Sequence, residues 1–426
     1  MNKSFSKISV IGLGYVGLPL SLQFARSGIN VLGLDLDPYK VDLINSGKSY
    51  LKHFSSESIE EQVNAGRFEA TVDPSRLSEV EAILICVPTP LDSHREPDLS
   101  FVLDTARTIS PHLAKGVLVT LESTTYPGTT EDELRLVLEE GSGMQAGIDF
   151  HLAYSPERED PGREDASVKT IPKVVGGFTH NCGDLAEALY GLALDKIHRV
   201  SSCKAAEATK LLENIFRSVN IALVNELKVV YEAMGIDVHE VIDAAATKPF
   251  GYMAFRPGPG LGGHCIPIDP FYLTWKAREF GKNTRFIELA GEINTNMPDY
   301  VISKVMDALN KDGKALQGSK ILVLGLAYKA NVDDCRESPS FVLMEKLEAK
   351  GAIVEYHDSY VPVVPSTREH AQFTGKQSCE VEDTYDLILL STDHVEYQEF
   401  DFTNYTCPLV DTRNCIKMRP KKYYRA

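Results

Sequence analysis

The greatest concentration of chemically useful residues lies between Arg256 and Pro270, in the sequence RPGPGLGGHCIPIDP. Four glycines and three prolines precede Ile268, so the segment cannot be regular structure and is predicted to be a shaped loop with exposed backbone amides. Asp269-Pro270 is typical of a helix start, with Asp269 as the N-cap and proline as the first helical residue.

Cys265 stands just before that predicted helix. The helix dipole and neighbouring cations favour a thiolate at such a position, and a thiolate is a good nucleophile. Two plainer interpretations stay open on spacing alone: a buried structural thiol for Cys265 and a simple helix cap for Asp269. The adjacent His264 does not predict a metal site, because neighbouring residues rarely ligate one ion and no second Cys or His group stands at ligand spacing.

A second chemical motif is GLGYVG at 12–17, a GxGxxG turn. Gly12 permits the tight turn, Gly14 lets the backbone approach a pyrophosphate, and Gly17 allows close packing of helix on strand. Asp35 lies 23 residues after Gly12 and is placed to accept hydrogen bonds from ribose hydroxyls. A carboxylate there would repel a 2′-phosphate, which favours NAD over NADP; the alternative is that Asp35 only caps a strand.

The surrounding sequence supplies the elements that this turn needs. Apolar runs alternate with segments of helical spacing, which predicts a parallel, doubly wound sheet. The same alternation restarts at Lys320, but the turn GLAYKA at 325–330 lacks the second and third glycines, so only the first unit is equipped for a dinucleotide. The predicted strands are 8–11, 31–34, 82–87, 117–121, 150–154, 321–324, 353–356, 387–390 and 409–410, and predicted helices include 18–27, 98–110, 130–140 and 340–350.

Between these units, residues 203–234 contain neither proline nor glycine and carry apolar residues at helical spacing, which predicts one long helix. Its apolar surface is wider than one stripe, so we expect it to form a dimer interface; burial within one chain is the alternative. The expected fold is therefore α/β, with two Rossmann-like doubly wound domains joined by a long central helix. The expected domains are 1–200, which binds NAD, 201–300, which is helical and carries the cysteine loop, and 301–426.

Composition excludes some classes of function. The 426 residues include 44 Lys+Arg and 60 Asp+Glu, a net charge of −16, which opposes a nucleic-acid-binding protein. Eight cysteines without CxxC pairs indicate a reducing compartment. The charged and apolar N-terminus superficially resembles a signal peptide, but the glycine turn accounts for it better. No apolar run reaches the roughly 20 residues of a membrane span, so a cytoplasmic protein without membrane association is expected.

Seven motifs in order along nearly the whole chain resemble the UDP-glucose/GDP-mannose dehydrogenase family. The motifs are GLGYVGLP at 12–19, CVPTP at 86–90, ESTTYPGTT at 122–130, YSPERE at 154–159, AAEATKLLEN at 205–214, GPGLGGHCIPID at 258–269 and DDCRESP at 333–339. The resemblance implies oxidation of a primary alcohol to a carboxylate by two NAD-dependent hydride transfers. Three stretches, at 95–98, 157–162 and 245–281, are similar to the branch acting on UDP-N-acetylglucosamine at C6.

The resemblance also implies roles for individual residues. Cys265 would form a thiohemiacetal and then a thioester, and Lys210 would stabilise the developing oxyanion, with Asn214 as its partner one helical turn away. Asp269 would orient water and relay protons. Glu157 is implied in thioester hydrolysis and Thr124 in positioning water, while the implied cofactor-binding residues are Gly12, Gly14, Tyr15, Val16, Gly17, Asp35, Pro88, Thr89 and Thr124.

For the UDP-sugar, the resemblance implies a loop that wraps the substrate and basic residues beside the diphosphate. These are Phe255, Arg256, Gly258 and Gly262 in the loop and Lys329, Arg336 and Arg413 in the last domain. The role of Arg256 is left open, because relatives can carry an aromatic residue there. A second glutamate of the UDP-glucose branch is replaced by Pro161, and whether Glu159 or Asp160 substitutes is also open.

Several alternatives stand beside this reading. Within the family, UDP-glucose or UDP-N-acetylgalactosamine are alternative substrates. In other classes, a catalytically inactive nucleotide-sugar-binding protein and a simpler two-electron hydroxyacid dehydrogenase are possible. We expect a homodimer or a higher homo-oligomer.

Overall fold

The computed structural model describes residues 5–51, 54–92, 96–158, 169–263, 266–367 and 369–426. The chain forms two units. The first comprises Met1–Glu213 and Phe271–Asn283, and the second comprises Asn214–Pro270 and Thr284–Ala426. The segment 201–300 is thus divided between the two units.

The first unit is built on one sheet of eight strands in the order β3-β2-β1-β4-β5-β6-β7-β8. All neighbouring pairs are parallel except β6 and β7. The inner strands are almost wholly buried, as expected for a parallel sheet covered on both faces. The strands are β1 (Lys7–Ile11), β2 (Asn30–Leu34), β3 (Phe68–Thr71), β4 (Ala82–Ile85), β5 (Leu118–Leu121), β6 (His151–Tyr154), β7 (Lys173–Gly177) and β8 (Ile197–Val200).

Helices cover both faces of this sheet, and a separate apolar core lies on each side. The strand order reverses at β1, which pairs with β2 on one side and β4 on the other, so ligands are expected at the carboxyl ends of these strands. The helices are α1 (Gly17–Arg26), α2 (Pro38–Asn45), α3 (Ser56–Asn64), α4 (Ser100–Ile109), α5 (Arg135–Ser142) and α6 (His180–Tyr190), with short 3-10 turns at Pro74–Glu79 and Ser110–His112 and a π turn at Thr129–Leu134.

The long central helix is confirmed as α7 (Cys203–Ala233), 31 residues that begin in the first unit and continue into the second. Burial within one chain, the alternative to a dimer interface, does not cover all of its apolar surface. Several large side chains on α7 are between 41% and 66% exposed, namely Leu212, Phe216, Leu223, Val229 and Val230.

The second unit carries five parallel strands in the order β10-β9-β11-β12-β13. Apolar cores again lie on both faces of this sheet, so the second Rossmann-like unit is confirmed. Its strands are β9 (Lys320–Leu324), β10 (Ile353–His357), β11 (Leu387–Leu390), β12 (Leu409–Asp411) and β13 (Tyr423–Arg425), and the helices after α7 are α8 (Val238–Ala246), α9 (Asp269–Glu279), α10 (Arg285–Lys311), α11 (Pro339–Ala349) and α12 (Val395–Glu399), with a 3-10 turn at Ala371–Phe373.

Most predicted strands and helices occur within a few residues of their expected bounds. The sequence analysis missed the strands β3, β7, β8 and β13 and the antiparallel pairing of β6 with β7. The strand β8 mixes apolar and charged residues and is only partly buried, so it lacks a clear periodic pattern. Within the described ranges, no helix is both long and apolar enough to cross a membrane.

Candidate active site

The glycine turn between β1 and α1 has the geometry of a dinucleotide site. Gly12 has φ of +85°, and a Cβ there would lie 2.8 Å from the Cys86 carbonyl oxygen. A Cβ on Gly17 would lie only 2.0 Å from the Gly12 carbonyl oxygen, whereas a Cβ on Gly14 would meet nothing within 4 Å. Gly12 and Gly17 therefore shape the turn, and Gly14 leaves its outer side open to a ligand. Tyr15 packs on the core and Val16 caps α1.

Asp35 follows β2, and its carboxylate is tied to the glycine turn. Oδ2 accepts from the Leu13 N–H at 2.8 Å and Oδ1 from the Asp37 N–H at 3.0 Å. Lys40 forms an ion pair with it at 3.4 Å. The turn with its open glycine and the oriented carboxylate fit NAD, since pyrophosphate and ribose need these two features.

The turns after β4 and β5 meet beside this site. Thr89 Oγ1 donates to the Thr124 carbonyl at 2.7 Å, and Tyr272 of α9 donates to the Thr89 carbonyl at 2.7 Å. Pro88 precedes Thr89 in the same turn. Thr124 is partly exposed, although most of the motif 122–130 around it is buried. The structure thus brings together the residues expected at the cofactor from two separate motifs.

Lys210 is only 7% exposed, and its ammonium donates to the backbone carbonyl of Glu157. Next to it, Arg158 forms an ion pair with Glu213 at 2.6 Å. The segment that carries Glu157 is therefore held against α7 at two points, one turn apart. The replacement at Pro161 and its neighbours Glu159 and Asp160 lie outside the described residues.

Glu207, three residues before Lys210, was missed by the sequence analysis. Its fully buried carboxylate accepts from the Gly128 N–H at 2.6 Å and from the N–H and hydroxyl of Thr130 at 2.9 and 2.7 Å. Burial raises the pKa of Glu207 to about 7 despite these donors. Glu207 holds the loop after Thr124 onto α7. The available signal was an acid one helical turn before Lys210, on a face that also carries apolar residues.

In the second unit, Asn214 and Asp269 form a buried pair. Asn214 Nδ2 donates to Asp269 Oδ2 at 2.5 Å, and the two residues are 4% and 2% exposed. Asp269 is the first residue of α9 rather than the residue before it, a shift of one position from the expected cap. Its carboxylate is engaged by α7, which a simple helix cap would not require. Cys265 and His264 lie outside the described residues.

The glycine loop is anchored by two buried asparagines that the sequence analysis did not single out. The Gly258 N–H donates to Asn225 Oδ1 at 3.0 Å, Asn225 Nδ2 donates to Asn294 Oδ1 at 2.9 Å, and Asn294 Nδ2 donates to the Ser218 carbonyl at 3.1 Å. This chain of amides joins α7, α10 and the loop. Asparagine has a low helix propensity, so Asn225 inside the predicted helix 203–234 was the available signal. Asn294 lies in α10, which the sequence analysis did not predict.

The loop also lies against the second Rossmann-like unit. A Cβ on Gly258 would come within 2.5 Å of Arg413 Nη1, and one on Gly262 would come within 2.9 Å of Tyr328, the neighbour of Lys329. The Arg336 carbonyl accepts from the Gly263 N–H at 3.3 Å. The loop glycines Gly258 and Gly262 therefore lie close to the segments that carry Lys329, Arg336 and Arg413.

Phe255 and Arg256 have other partners. The ring of Phe255 packs edge-on against Phe216 of α7 at 5.8 Å between centroids. Arg256 pairs with Asp243 of α8, and its side chain is half exposed. The Arg336 guanidinium pairs with Asp334 at 2.6 Å.

The turn after β9 differs from the glycine turn after β1 in the groups that surround its acid. Asp358, which follows β10 as Asp35 follows β2, accepts from the Leu326 and Ala327 N–H groups at 2.6 and 2.9 Å. His394 approaches the same oxygen at 3.1 Å. Asp358 Oδ1 accepts from the Tyr360 and Val361 N–H groups at 2.8 and 3.0 Å, so both carboxylate oxygens are engaged by groups of the protein.

Comparison with known proteins identifies, over most of the chain, the family that the sequence motifs resemble. Profiles of the UDP-glucose/GDP-mannose dehydrogenase family match residues 6–193 (NAD binding domain), 204–296 (central domain) and 322–418 (UDP binding domain). UDP-N-acetyl-D-glucosamine 6-dehydrogenase of Pseudomonas aeruginosa is 35% identical over 93% of each chain. UDP-N-acetyl-D-mannosamine dehydrogenase of Pyrococcus horikoshii is 35% identical over 97% of each chain. A solved structure of the Pyrococcus horikoshii enzyme covers 98% of both chains with a TM-score of 0.88 and 33% identity.

Proposed function

The chain belongs to the UDP-glucose/GDP-mannose dehydrogenase family and is an NAD-dependent UDP-sugar dehydrogenase, and from that premise we propose that it oxidises UDP-N-acetyl-D-glucosamine at C6 to UDP-N-acetyl-D-glucosaminuronic acid. The similarity of residues 245–281 to that branch supports this substrate. Relatives that act on UDP-N-acetyl-D-mannosamine are equally similar over the whole chain, and they add a substrate that the sequence analysis did not consider.

The observation that carries the oxidation chemistry is the buried pair of Asn214 and Asp269 at the end of the cysteine loop. A carboxylate held in a fixed orientation by an amide is suited to orienting water and relaying protons. Asp269 stands four residues after Cys265, which supports a role for it in hydrolysis of the thioester.

We assign the covalent step to Cys265. After the alcohol has been oxidised to the aldehyde, the thiolate adds to C6 and gives a thiohemiacetal; a second oxidation gives a thioester, which water hydrolyses to the acid. Bound NAD would be the hydride acceptor in both oxidations. The Lys210 ammonium, held by the Glu157 carbonyl, stabilises the negative oxygen that develops at C6.

The remaining assignments follow the same logic. The Glu157 carboxylate assists thioester hydrolysis, and Thr124 positions water beside the cofactor. Amides of the glycine loop, with Lys329, Arg336 and Arg413, bind the diphosphate, which provides local positive charge in a chain of net charge −16. Phe255 contributes to the wall of the sugar pocket.

The test is NADH formation by the purified chain with a panel of UDP-sugars: the N-acetylglucosamine, N-acetylmannosamine, N-acetylgalactosamine and glucose forms. We expect the highest kcat/KM with UDP-N-acetylglucosamine and two NADH per uronic acid. One NADH per sugar would favour a two-electron dehydrogenase, and binding without turnover would favour an inactive nucleotide-sugar-binding protein. Preference for another sugar would overturn the substrate assignment.

We also propose that a second copy of the chain covers the exposed apolar face of α7, giving a homodimer or a higher homo-oligomer. The exposed side chains Phe216, Leu223 and Val230 support this, because such area is costly to leave in water. Light scattering should give a mass of two chains or more, and Leu223→Glu should reduce it. Leu136→Glu, at the similarly exposed Leu136 of α5, is the matched control.

A further inference from the structure

The second unit contains a cavity of about 440 Å³ that none of the assigned site residues lines. It lies where the carboxyl-terminal parts of α7 and α10 meet the start of α8 and β13. Its volume falls within the range of about 300–1,000 Å³ that is usual for small-molecule sites. The lining residues that matter here are Lys228, Lys304, Lys311, Arg425, Tyr423 and Tyr424.

Lys228 is the unusual member of this lining. It is only 6% exposed, and within the described part of the chain it has no hydrogen bond or ion pair. The Lys228 amine lies 5.7 Å from the centroid of the Tyr300 ring. Burial lowers the pKa of Lys228 to about 8. The carboxylates of Glu232 and Asp411 act on Lys228 only from beyond ion-pair distance. A buried ammonium without a direct carboxylate partner is costly, so this position favours a ligand that brings negative charge.

Of the other lysines and arginines that line the cavity, two form ion pairs with described residues and one does not. Lys304 pairs with Glu232 at 2.5 Å, and Arg425 pairs with Asp237. Within each of these pairs, the two opposite charges neutralise each other. Lys311 lies over the ring of Tyr424 at 4.9 Å and, like Lys228, has no carboxylate partner among the described residues.

One lining carboxylate, that of Asp307, also lacks an ion pair in the described structure, but it stands on the exposed side of α10. Among the described residues, Lys228 therefore gives the inner wall of the cavity an unpaired positive charge, and the exposed rim carries both Lys311 and Asp307. Lysine amines on two different helices can each donate to a different oxygen of one phosphate group.

We propose that this cavity binds a small phosphate-bearing anion, with Lys228 donating to the phosphate from the buried side and Lys311 from the rim. The tyrosine rings of β13 form the adjoining wall. No residue assigned to the UDP-sugar lines this cavity, and the proposal does not depend on the identity of the sugar.

The probe is inorganic pyrophosphate, titrated by calorimetry into the full chain that has been saturated with UDP to fill the nucleotide site. We expect one binding event per chain, weakened at least about 10-fold in Lys228→Met and unchanged in Lys350→Met, a lysine at the exposed end of α11. Removing the buried charge should not lower the thermal unfolding midpoint of Lys228→Met, which checks its folding.

Asp307→Asn provides a second, independent variant and should tighten pyrophosphate binding. Citrate distinguishes phosphate from carboxylate ligands. Equal affinity in wild type and Lys228→Met, no heat at millimolar pyrophosphate, or binding of citrate in place of pyrophosphate would each overturn the proposal.

Discussion

Asn214 and Asp269 are 55 positions apart in sequence, yet Asn214 Nδ2 lies 2.5 Å from Asp269 Oδ2 in a buried environment. Because Asp269 begins α9, this bond ties the end of the cysteine loop to the long helix α7. An amide donor also keeps the carboxylate oriented without neutralising its charge. The catalytic assignment of Asp269 therefore depends on Asn214 as the residue that positions it.

Asn214→Ala removes this donor and leaves a buried carboxylate oxygen with one partner fewer, at a cost of about 1–3 kcal/mol. We expect kcat to fall roughly 10- to 100-fold and the unfolding midpoint to drop. Steady-state NADH kinetics and a thermal scan measure both. Asn220→Ala, at a partly exposed asparagine of the same helix, is the control and should keep wild-type kcat. Full activity in Asn214→Ala would contradict the assignment.

Cys265→Ser tests covalent catalysis. A serine hydroxyl is a much weaker nucleophile than a thiolate, so the second oxidation should be lost and aldehyde-level sugar or an ester adduct should accumulate. Mass spectrometry of the sugar and of the protein identifies these species. Cys379→Ser, at a partly exposed cysteine of the second unit, should leave acid formation unchanged. Wild-type turnover by Cys265→Ser would rule out the nucleophile.

Gly14→Ala and Gly17→Ala each add one methyl group, but the two methyl groups meet different surroundings. The Gly17 methyl would collide with the Gly12 carbonyl at 2.0 Å, so we expect a loss of about 1–3 kcal/mol in the free energy of unfolding. The Gly14 methyl meets no protein atom within 4 Å, so folding should be retained while KM for NAD rises and KM for the UDP-sugar does not. Urea unfolding and NAD-dependent kinetics separate the two effects. A stable Gly17→Ala or an unchanged KM for NAD in Gly14→Ala would contradict the geometry.

The raised pKa of Glu207 predicts that the free energy of unfolding depends on pH. Its carboxyl has an ordinary pKa of 4.5, and burial raises it to about 7 in the folded chain, so the folded state holds more protons between these values. The contribution of Glu207 to the free energy of unfolding is therefore greatest below pH 4.5. It decreases by up to about 3 kcal/mol as the pH rises towards 7.

Glu207→Gln keeps a neutral side chain at every pH and should remove that part of the pH dependence. Urea unfolding of both proteins at several pH values between 4.5 and 7.5 gives the difference. Glu226→Gln, at an exposed acid of the same helix, should keep the wild-type profile. Parallel profiles for wild type and Glu207→Gln would show that the acid is not protonated in the folded state.

The amino-acid sequence by itself determined the local features of this protein. The glycine turn at 12–17, Asp35 after the second strand, the long helix α7 and the second βα repeat each depend on interactions within a few residues or on a regular apolar period. Local backbone sterics and burial of one face set such features, so they can be read from one chain. Motif order added the family, and with it the expected roles of Lys210, Asn214 and Asp269.

Only the tertiary structure decided which polar groups meet across long stretches of sequence. Glu207 reaches Thr130 across 77 positions, Asn225 reaches Gly258 across 33, and Lys210 is held by the backbone of Glu157 rather than by its carboxylate. The unpaired amine of Lys228 is likewise visible only once its helix is packed. Each buried polar group must find a partner when water is removed, and packing of distant elements, which has no local periodic signature, determines which partner is present.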